Sequence, residues 1–524
     1  LAIARIVARR DLTVAIAHGV TYLGSAAVWV GGSKEQKHRL AQSIKNNQQV
    51  SFGLTEKNHG SDILANQTSV DRAEVVNTEV EYSLSGEKWL IGNASRSSTM
   101  TVFARTRPQA GPRGFSLFMV EKSKLPDDSY THLPKIKTHG LRGADISGIC
   151  FHQSPLSKNA LVGSPGKGLD LTLKAFQITK TLHAGAAPSL GQADTALRVT
   201  INFVLSRRLY GGTVWDIPHA HQELVASFLD ILICDCVSIA AVRALHVVPD
   251  QMSLISAIIK YFVPKTVEGL IQRLSAVLGA RHYLREGHCW GIFQKIMRDH
   301  AIISIFDGSA AVNLHGIGAQ LSSLIGYRAQ TAGRNHPETK ANLETIFDVE
   351  QPLPDFDPRQ LALLNRGRDD ILQGLEIALN KIKSFQADTL FKPDVIRQLL
   401  ALVEDMTDAI DRLEKTFEAL KAQVPQPFNK SPELFELSGQ YCSLHAASAC
   451  ILLWVHYDHS KADFLSQGEW LVLCLTRLMN GFYPQKYSAS QNYYDKVAHH
   501  LLELYKQDML FSVFPFQLAK THAV

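Results

Sequence analysis

The spacing of the apolar residues changes twice between residues 1 and 328, and these changes divide this range into three regions. Residues 1–47 show helical spacing, and Ser33 is a typical helix start. From Val50 apolar residues alternate in short runs separated by Gly, Asn, Asp and Pro, which predicts a β-domain over residues 48–165. Helical spacing returns over residues 166–328 and predicts a bundle with helices at about 169–206, 219–248, 253–281 and 289–306.

Beyond residue 328 the pattern predicts a linker and a second helical region. Pro352, Pro354 and Pro358 mark a linker over residues 329–357. Further helical spacing follows, and we expect residues 358–524 to form a separate helical extension without catalytic residues. The pattern as a whole indicates an α+β protein that is mainly α, with partial N-terminal helices, a middle β-domain, a helical bundle and an additional helical domain. A chain of 524 residues is long enough for several domains.

Composition and charge exclude several classes of function. The 54 basic and 49 acidic residues leave a formal charge of only +5, and the basic residues are dispersed, so we expect no nucleic-acid partner. The 7 cysteines are scattered without metal-ligand spacing, which predicts no metal site and favours a reducing, cytoplasmic location. We expect no membrane span, because no apolar run reaches about 18 residues. The chain begins at Leu1 without a methionine, so we expect it to be a piece of a longer polypeptide.

One carboxylate near the end of the bundle region is a candidate for catalysis. Asp307 follows a short apolar segment and precedes Gly308 and Ser309. A carboxylate in such an apolar corner has a raised pKa and can act as a general base. The alternative is structural, because Asp-Gly-Ser is also common in turns that cap a helix. Both interpretations stay open at this point.

Two segments of the β-domain are candidates for ligand binding. Residues 54–62 place a turn of small residues after a strand end, which leaves backbone N–H groups and the hydroxyls of Thr55 and Ser61 free to bind a ligand. Residues 86–93 form a strand with one large aromatic residue, Trp89. Trp89 either lines the binding site or packs in the core as an ordinary strand aromatic, and we expect the second role.

Several short segments, in the same order along the chain, resemble the acyl-CoA dehydrogenase family. Met297-Arg298-Asp299 and then Phe306-Asp307-Gly308-Ser309 are similar to the family's Met-Arg-Asp and Tyr-Glu-Gly-Thr, in which the glutamate is the catalytic base. Residues 54–62 resemble its Thr-Glu-Pro-Gly-Ala-Gly-Ser-Asp loop, and residues 86–93 its Gly-x-Lys-x-Trp-Ile-Thr-Asn strand. Residues 207–211 resemble its Arg-x-x-Phe-Gly, and residues 221–222 match a His-Gln pair. The resemblance covers roughly residues 10–328.

The resemblance implies an FAD-binding site between the β-domain and the bundle. The FAD contacts that it implies within one chain are Phe52, Leu54, Thr55, Gly60, Ser61, Leu90, Ile91, Gly92 and Ser309. It further implies that Arg207, Tyr210 and Gln222 reach the FAD across the interface of a homodimer or a larger homo-oligomer. In the ungapped alignment, Leu90 takes the family's tryptophan position and Gly92 its threonine position. Lys180, His183 or neither replaces an arginine that the family often has near the start of the first bundle helix.

The activity implied by the resemblance is FAD-dependent α,β-dehydrogenation of an acyl thioester, with Asp307 as the base in place of the family's glutamate. The carrier is either coenzyme A or an acyl carrier protein, and the electron acceptor is a protein such as an electron-transfer flavoprotein. Some family branches take the base from the first bundle helix, but this chain has no acidic residue between Asp170 and Asp194.

Two other classes remain open at the level of the sequence. One is a flavin oxidase of the same fold, because nitroalkane oxidases use an aspartate at the place of Asp307. The other is a non-catalytic interaction module that no longer holds flavin. Reduction of bound flavin by an acyl thioester without oxygen would favour the dehydrogenase.

Overall fold

The computed structural model describes residues 1–72, 80–331, 337–423, 431–484 and 486–519. It begins with three helices, α1 (Ala2–Arg10), α2 (Leu12–Gly31) and α3 (Lys34–Lys45). The Asp11 side chain starts α2 by accepting hydrogen bonds from the first backbone N–H groups. A capping box of Ser33 and Gln36 starts α3, so the helix start expected at Ser33 is present.

A sheet of eight strands forms the middle of the protein. Its order is β6-β7-β3-β2-β4-β5-β8, with β1 parallel to β4. The register of β3 against β7 shifts between Trp89 and Ile91, so Leu90 is the extra residue of a β-bulge. The strands are β1 (Val50–Gly53), β2 (Ser69–Arg72), β3 (Val80–Gly92), β4 (Thr99–Arg105), β5 (Phe115–Glu121), β6 (Tyr130–Leu133), β7 (Ile146–Ser157) and β8 (Leu161–Val162).

The bundle that follows contains a long helical segment with an irregular turn in its middle. This segment runs through α4 (Gly168–Thr179), a π-helix (Lys180–Gly185) and α5 (Ala186–Ser206). Single π-turns within α-helices are rare and often occur at functional sites. A short hairpin, β9 (Arg208–Leu209) and β10 (Gly212–Thr213), leads to four more helices, α6 (Pro218–Val247), α7 (Met252–Leu278), α8 (Ile292–His300) and α9 (Ala310–Thr331).

The C-terminal helices share the core of the bundle. One continuous cluster of buried apolar residues includes Phe228 and Ile258 of the bundle and Leu343, Leu444 and Trp470 of the C-terminal helices. The separate extension that the apolar pattern predicts is therefore not observed, and the stretch expected to be a linker contains a helix. The helices are α10 (Pro337–Phe347), α11 (Asp370–Gln373), α12 (Leu375–Ser384), α13 (Pro393–Gln423), α14 (Pro432–Val455), α15 (Glu469–Met479) and α16 (Gln491–Lys506).

The structure is 63% helical with a middle sheet, which confirms the predicted mainly α, α+β class. Two helices, α2 and α6, are long and apolar enough to cross a membrane by length and composition alone. In the folded protein, 50% and 83% of their most apolar stretches are buried. A helix that is apolar all round is common in the core of a large protein, so this property by itself does not establish a membrane span.

Candidate active site

The turn that carries Asp307 connects α8 to α9. The N–H groups of Ile305 and Phe306 both donate to Ile302 O, at 3.0 and 3.1 Å. Asp307 and Gly308 follow with φ angles of +52° and +90°. Glycine adopts such left-handed backbone freely and aspartate tolerates it, so the Asp-Gly pair fits this turn. Non-glycine residues in this conformation are concentrated at functional sites.

The Asp307 carboxylate does not cap the following helix. Ser309 Oγ accepts a hydrogen bond from Val312 N at 3.3 Å, so the serine caps α9. Asp307 Oδ2 is shielded from solvent and accepts no hydrogen bond from the part of the chain that the structure describes. Burying an acceptor without a hydrogen-bond partner costs about 1–3 kcal/mol of stability. A purely structural side chain rarely carries such an unpaired buried atom. The geometry therefore favours the base over the cap.

Two lysines from other helical segments affect the charge of this carboxylate. Burial raises the pKa of Asp307, and the positive charges of Lys260 and Lys180 oppose that rise. Burial lowers the pKa of Lys180 to about 8 and that of Lys260 to about 7, against the attraction of Asp307. The three groups therefore titrate as a linked set.

The same lysines hold the turn in place. Lys260, on α7, donates from Nζ to Ala184 O of the π-helix at 2.8 Å and to Ile303 O at 2.5 Å. Lys180 Nζ donates to Asn313 Oδ1 at 2.9 Å, and Asn313 Nδ2 donates to Gly308 O at 2.9 Å. The π-helix, α7 and α9 are thus joined at the Asp307 turn.

The structure separates the two candidates for the family's arginine. Lys180 lies at the Asp307 turn, where a Cβ on Gly308 would be 3.3 Å from its Nζ. His183, further along the π-helix, lies against Gly19 of α2. Lys180 is therefore the basic residue beside the candidate base.

The sequence interpretation missed Lys260 and Asn313. Lys260 is fully buried in a mostly apolar run, residues 254–263. A lysine is almost never fully buried without a partner, so the pattern did contain a signal for it. Asn313 gave no such signal, because a polar residue in the first turn of a helix is common.

On the β-domain side, hydrogen bonds fix one end of the loop at residues 54–62 to β3. Trp89 N donates to Thr55 O at 2.9 Å, and Thr55 Oγ1 donates to Trp89 O at 2.7 Å. Gly60 and Ser61 are exposed at the tip, and, apart from Gly60 and its two chain neighbours, no described residue has a heavy atom within 4 Å of a Cβ placed on Gly60. The loop is anchored at its strand end and open to a ligand at its tip.

The bulge in β3 gives its predicted FAD contacts different surroundings. Leu90 has a φ of +57° and is 44% exposed, whereas Ile91 is buried. Gly92 packs so closely on α2 that a Cβ there would lie 2.6 Å from Val20 Cγ2. Trp89 is half-buried.

Helix α4 connects β1 to the Asp307 turn. Phe52 and Leu54 are both buried. The Phe52 ring meets Phe176 of α4 edge-on, with 5.9 Å between ring centroids. Lys180 Nζ lies 6.0 Å from the centroid of Phe176. The structure thus brings the β-domain contacts and the candidate base into one region.

Arg207, Tyr210 and Gln222 lie elsewhere. All three are exposed, and Tyr210 is 97% exposed. The 21 residues of α5 span about 30 Å at the helical rise, and they separate Arg207 from the π-helix. Arg207 therefore lies far from the π-helix along the chain, and the contact of these three residues with FAD across a subunit interface stays a prediction.

The residues present fit a flavin dinucleotide. The Thr55 hydroxyl donates to Trp89 O of β3, and its oxygen can still accept a hydrogen bond. The open tip at Gly60 and Ser61 offers backbone N–H groups for a phosphate. The exposed guanidinium of Arg207 suits the pyrophosphate of a second cofactor.

Comparison with known protein families assigns the chain to a family of oxidoreductases that act on CH–CH bonds. The family description "Acyl-CoA dehydrogenase, middle domain" matches residues 51–154, and "Acyl-CoA dehydrogenase, C-terminal domain" matches residues 166–322. The chain belongs to the acyl-CoA dehydrogenase family, which confirms the resemblance found in the sequence. Members of this family generally bind FAD.

Individual relatives agree with the family assignment. The Mycobacterium tuberculosis protein described as probable acyl-CoA dehydrogenase FadE25 is 26% identical over 305 residues, 58% of this chain and 75% of the relative. Butyryl-CoA dehydrogenase from Megasphaera elsdenii shares the fold with a TM-score of 0.54 and 22% identity, covering 61% of this chain and 80% of that one. PigA with FAD and proline also shares the fold, with a TM-score of 0.54 and 19% identity, and the match covers 60% of this chain and 78% of that one.

Proposed function

We propose that this protein is an FAD-dependent dehydrogenase of acyl thioesters in which Asp307 is the catalytic base. The observation that carries the proposal is the Asp307 carboxylate oxygen, which is shielded from solvent and has no partner in the described residues. It lies on the turn where the family has its catalytic glutamate. The capping role that would explain an aspartate here belongs to Ser309 instead.

In this proposal, Asp307 takes a proton from the α carbon of the substrate. The α C–H bond breaks, the proton goes to a carboxylate oxygen, and the electron pair forms the α,β double bond as hydride leaves the β carbon. Bound FAD supplies the acceptor for that hydride. Because burial raises the pKa of Asp307, its carboxylate is a stronger base than an ordinary aspartate. Lys260 and Lys180 favour the ionised form and so keep it available.

The β-domain residues would hold the cofactor. We assign Thr55, Gly60 and Ser61 to polar contacts with it, and the remaining contacts to the residues that the family alignment gives, Phe52, Leu54, Leu90, Ile91, Gly92 and Ser309. Arg207, Tyr210 and Gln222 would serve the FAD of a neighbouring subunit, which requires a homodimer or a larger homo-oligomer. The exposure of all three residues and the distance of Arg207 from the π-helix support this arrangement.

The carrier, the electron acceptor and the location are also part of the proposal. The acyl group is carried by coenzyme A or by an acyl carrier protein, and electrons leave to a protein such as an electron-transfer flavoprotein. We place the protein in the cytoplasm on the basis of its scattered cysteines, all 7 of which are free thiols.

Anaerobic mixing of the FAD-loaded protein with acyl thioesters tests the proposal. We expect the absorbance of oxidised flavin to bleach and an α,β-unsaturated thioester to form in equal amount, as measured by mass spectrometry. Rapid peroxide formation on a nitroalkane, with no response to thioesters, would instead identify a flavin oxidase. A protein that cannot be loaded with FAD would contradict the proposal.

A further inference from the structure

A cavity lies where the start of α6 meets α16. Its volume is about 320 Å³, which is within the range of about 300–1,000 Å³ that is usual for small-molecule sites. Gln222, Glu223 and Val225 of α6 line one side, and Gln491 and Tyr494 of α16 line the other. Because α16 lies beyond residue 328, where the resemblance to the family ends, the family alignment assigns no role to the α16 side.

The lining of this cavity suits a flat heterocyclic base. The amides of Gln222 and Gln491 each carry hydrogen-bond donors and an acceptor, and a glutamine amide matches the N6–N7 edge of adenine with two hydrogen bonds. Gln491 Nε2 also donates to Asp495 Oδ1 at 2.9 Å, a bond that uses only one of its two N–H groups. The aromatic ring of Tyr494 is a surface on which a base can stack.

The charges around the cavity favour a neutral group over a phosphate. Among the described residues that line it, none is a lysine or an arginine, and Glu223 contributes a carboxylate. His221 also lines the cavity. Burial lowers the pKa of His221 below its ordinary value, against the attraction of Asp495, so its ring is mostly neutral near pH 7. The cavity is therefore better suited to a base than to a phosphate.

Backbone and ring contacts connect this cavity to Arg207. Val214 N donates to Arg207 O at 2.9 Å. The ring of the next residue, Trp215, packs on that of His221, with 4.7 Å between the ring centroids. This short segment keeps Arg207, the proposed pyrophosphate contact, near the cavity. In FAD the adenine is joined to the pyrophosphate through one ribose, so the two groups need neighbouring sites.

We propose that Tyr494 and Gln491 bind the adenine base of the FAD of a neighbouring subunit, together with Gln222. This inference rests on the function proposed above, in which Arg207 and Gln222 serve that FAD. The Tyr494 ring stacks on the base, and the two amides hydrogen-bond to its edge. The C-terminal region then contributes to cofactor binding through α16.

Binding of FAD and FMN to the cofactor-free protein tests this role, because FMN carries the same flavin without adenine. Dissociation constants are measured by calorimetry for the wild type and for each variant. We expect Tyr494→Ala to weaken FAD binding about 5- to 100-fold, the usual effect of losing one base-stacking contact, and to leave FMN binding unchanged. Tyr494→Phe keeps the ring and should bind FAD about as tightly as the wild type. Gln491→Leu should also weaken the binding of FAD but not of FMN.

Tyr505→Ala is the matched control, because Tyr505 is also a half-buried tyrosine of α16 but is not among the residues that line the cavity. It should bind FAD and FMN as the wild type does. The thermal midpoint of each variant reports whether it folds, and Gln491→Leu, at an exposed position, keeps the test decisive if Tyr494→Ala does not fold. Unchanged FAD binding in the folded variants, or equal weakening of FAD and FMN binding, would overturn the adenine site. A wild-type protein that binds neither flavin would refute the function proposed above.

Discussion

At the scale of single residues, two lysines control how readily Asp307 gives up its proton. Burial raises the pKa of Asp307, and the charges of Lys260 and Lys180 lower it. Removing one lysine therefore raises the pKa further. Since only the ionised carboxylate can accept the substrate proton, flavin reduction should rise with pH through this pKa. We expect Lys260→Met and Lys180→Met each to move the acid limb of the pH–rate profile to higher pH, as measured by anaerobic stopped flow.

Lys34→Met, at an exposed position on α3, is the matched control for the lysine variants. Its acid limb should coincide with that of the wild type. If the acid limb also stays in place in both Lys260→Met and Lys180→Met, the two lysines do not act on the base.

Ser309 gives a second prediction at the residue scale. Its hydroxyl caps α9 through the N–H of Val312. Loss of an N-cap costs about 0.5–2 kcal/mol. We expect Ser309→Ala to lower the free energy of unfolding by about 1 kcal/mol in chemical denaturation, and Ser309→Asp to restore most of it. No change in Ser309→Ala would mean that the cap is formed by another residue.

The sequence identifies Asp307 as a candidate base, but it does not identify the residues that surround Asp307 in the fold. Asp307 is recognisable because its neighbours, from Met297 to Ser309, form one local motif. Lys260 and Lys180, from other parts of the chain, lower the pKa of the same carboxylate through their charges. Only the packing of α7 and the π-helix against the turn brings the three charges together, and no local pattern encodes that packing.

At the scale of elements, an ion pair anchors the loop at residues 54–62 to β3. Lys88 Nζ lies 2.9 Å from Glu56 Oε1, and these residues are 0% and 8% exposed. Removing one partner of a buried pair leaves the other charge uncompensated and costs about 3–5 kcal/mol. We expect Lys88→Met to destabilise the protein by about this amount in chemical denaturation. Adding Glu56→Gln to Lys88→Met removes the uncompensated negative charge of Glu56. The double variant should therefore be more stable than Lys88→Met alone.

An outcome in which the double variant is no more stable than Lys88→Met would show that the cost is not electrostatic. The exposed Lys57→Met, in the same loop, is the control and should change stability little.

The bulge at Leu90 shows the limit of sequence reasoning at this scale. The ungapped alignment treats Leu90, Ile91 and Gly92 as one regular strand. The register of β3 against β7 shifts there, and Leu90 is partly exposed while Ile91 is buried. An alternating pattern predicts a strand but does not reveal an inserted residue, because register depends on the partner strand.

At the scale of the whole molecule, the first and last parts of the chain fold together. Phe511 O accepts from Arg5 at 2.5 Å, and Phe511 N donates to Asp194 Oδ2 at 3.0 Å. The bundle and the C-terminal helices also share one apolar core. We therefore expect a single cooperative transition in calorimetry, and an insoluble product when the chain is cut after residue 349. Two separate transitions, or a folded 1–349 fragment, would contradict the shared core.

The apolar pattern could not show this shared core. It reports which residues of each helix are apolar but not which helix they face, and prolines at 352, 354 and 358 resemble a domain boundary. α6 is apolar over most of its circumference, which indicates that more than one neighbour covers it. The structure shows that these neighbours include α10, α14 and α15 from the C-terminal region.

The proposed reaction depends on Asp307 being the base, and Asp307→Asn tests this most directly. Asparagine keeps the size of the side chain and its tolerance of the turn but accepts no proton. We expect the variant to bind FAD normally and to lose about 100- to 10,000-fold in the anaerobic rate of flavin reduction by a substrate that the wild type accepts. Asp408→Asn, at an exposed site on α13, should react at the wild-type rate. A near-normal rate in Asp307→Asn would contradict the catalytic assignment.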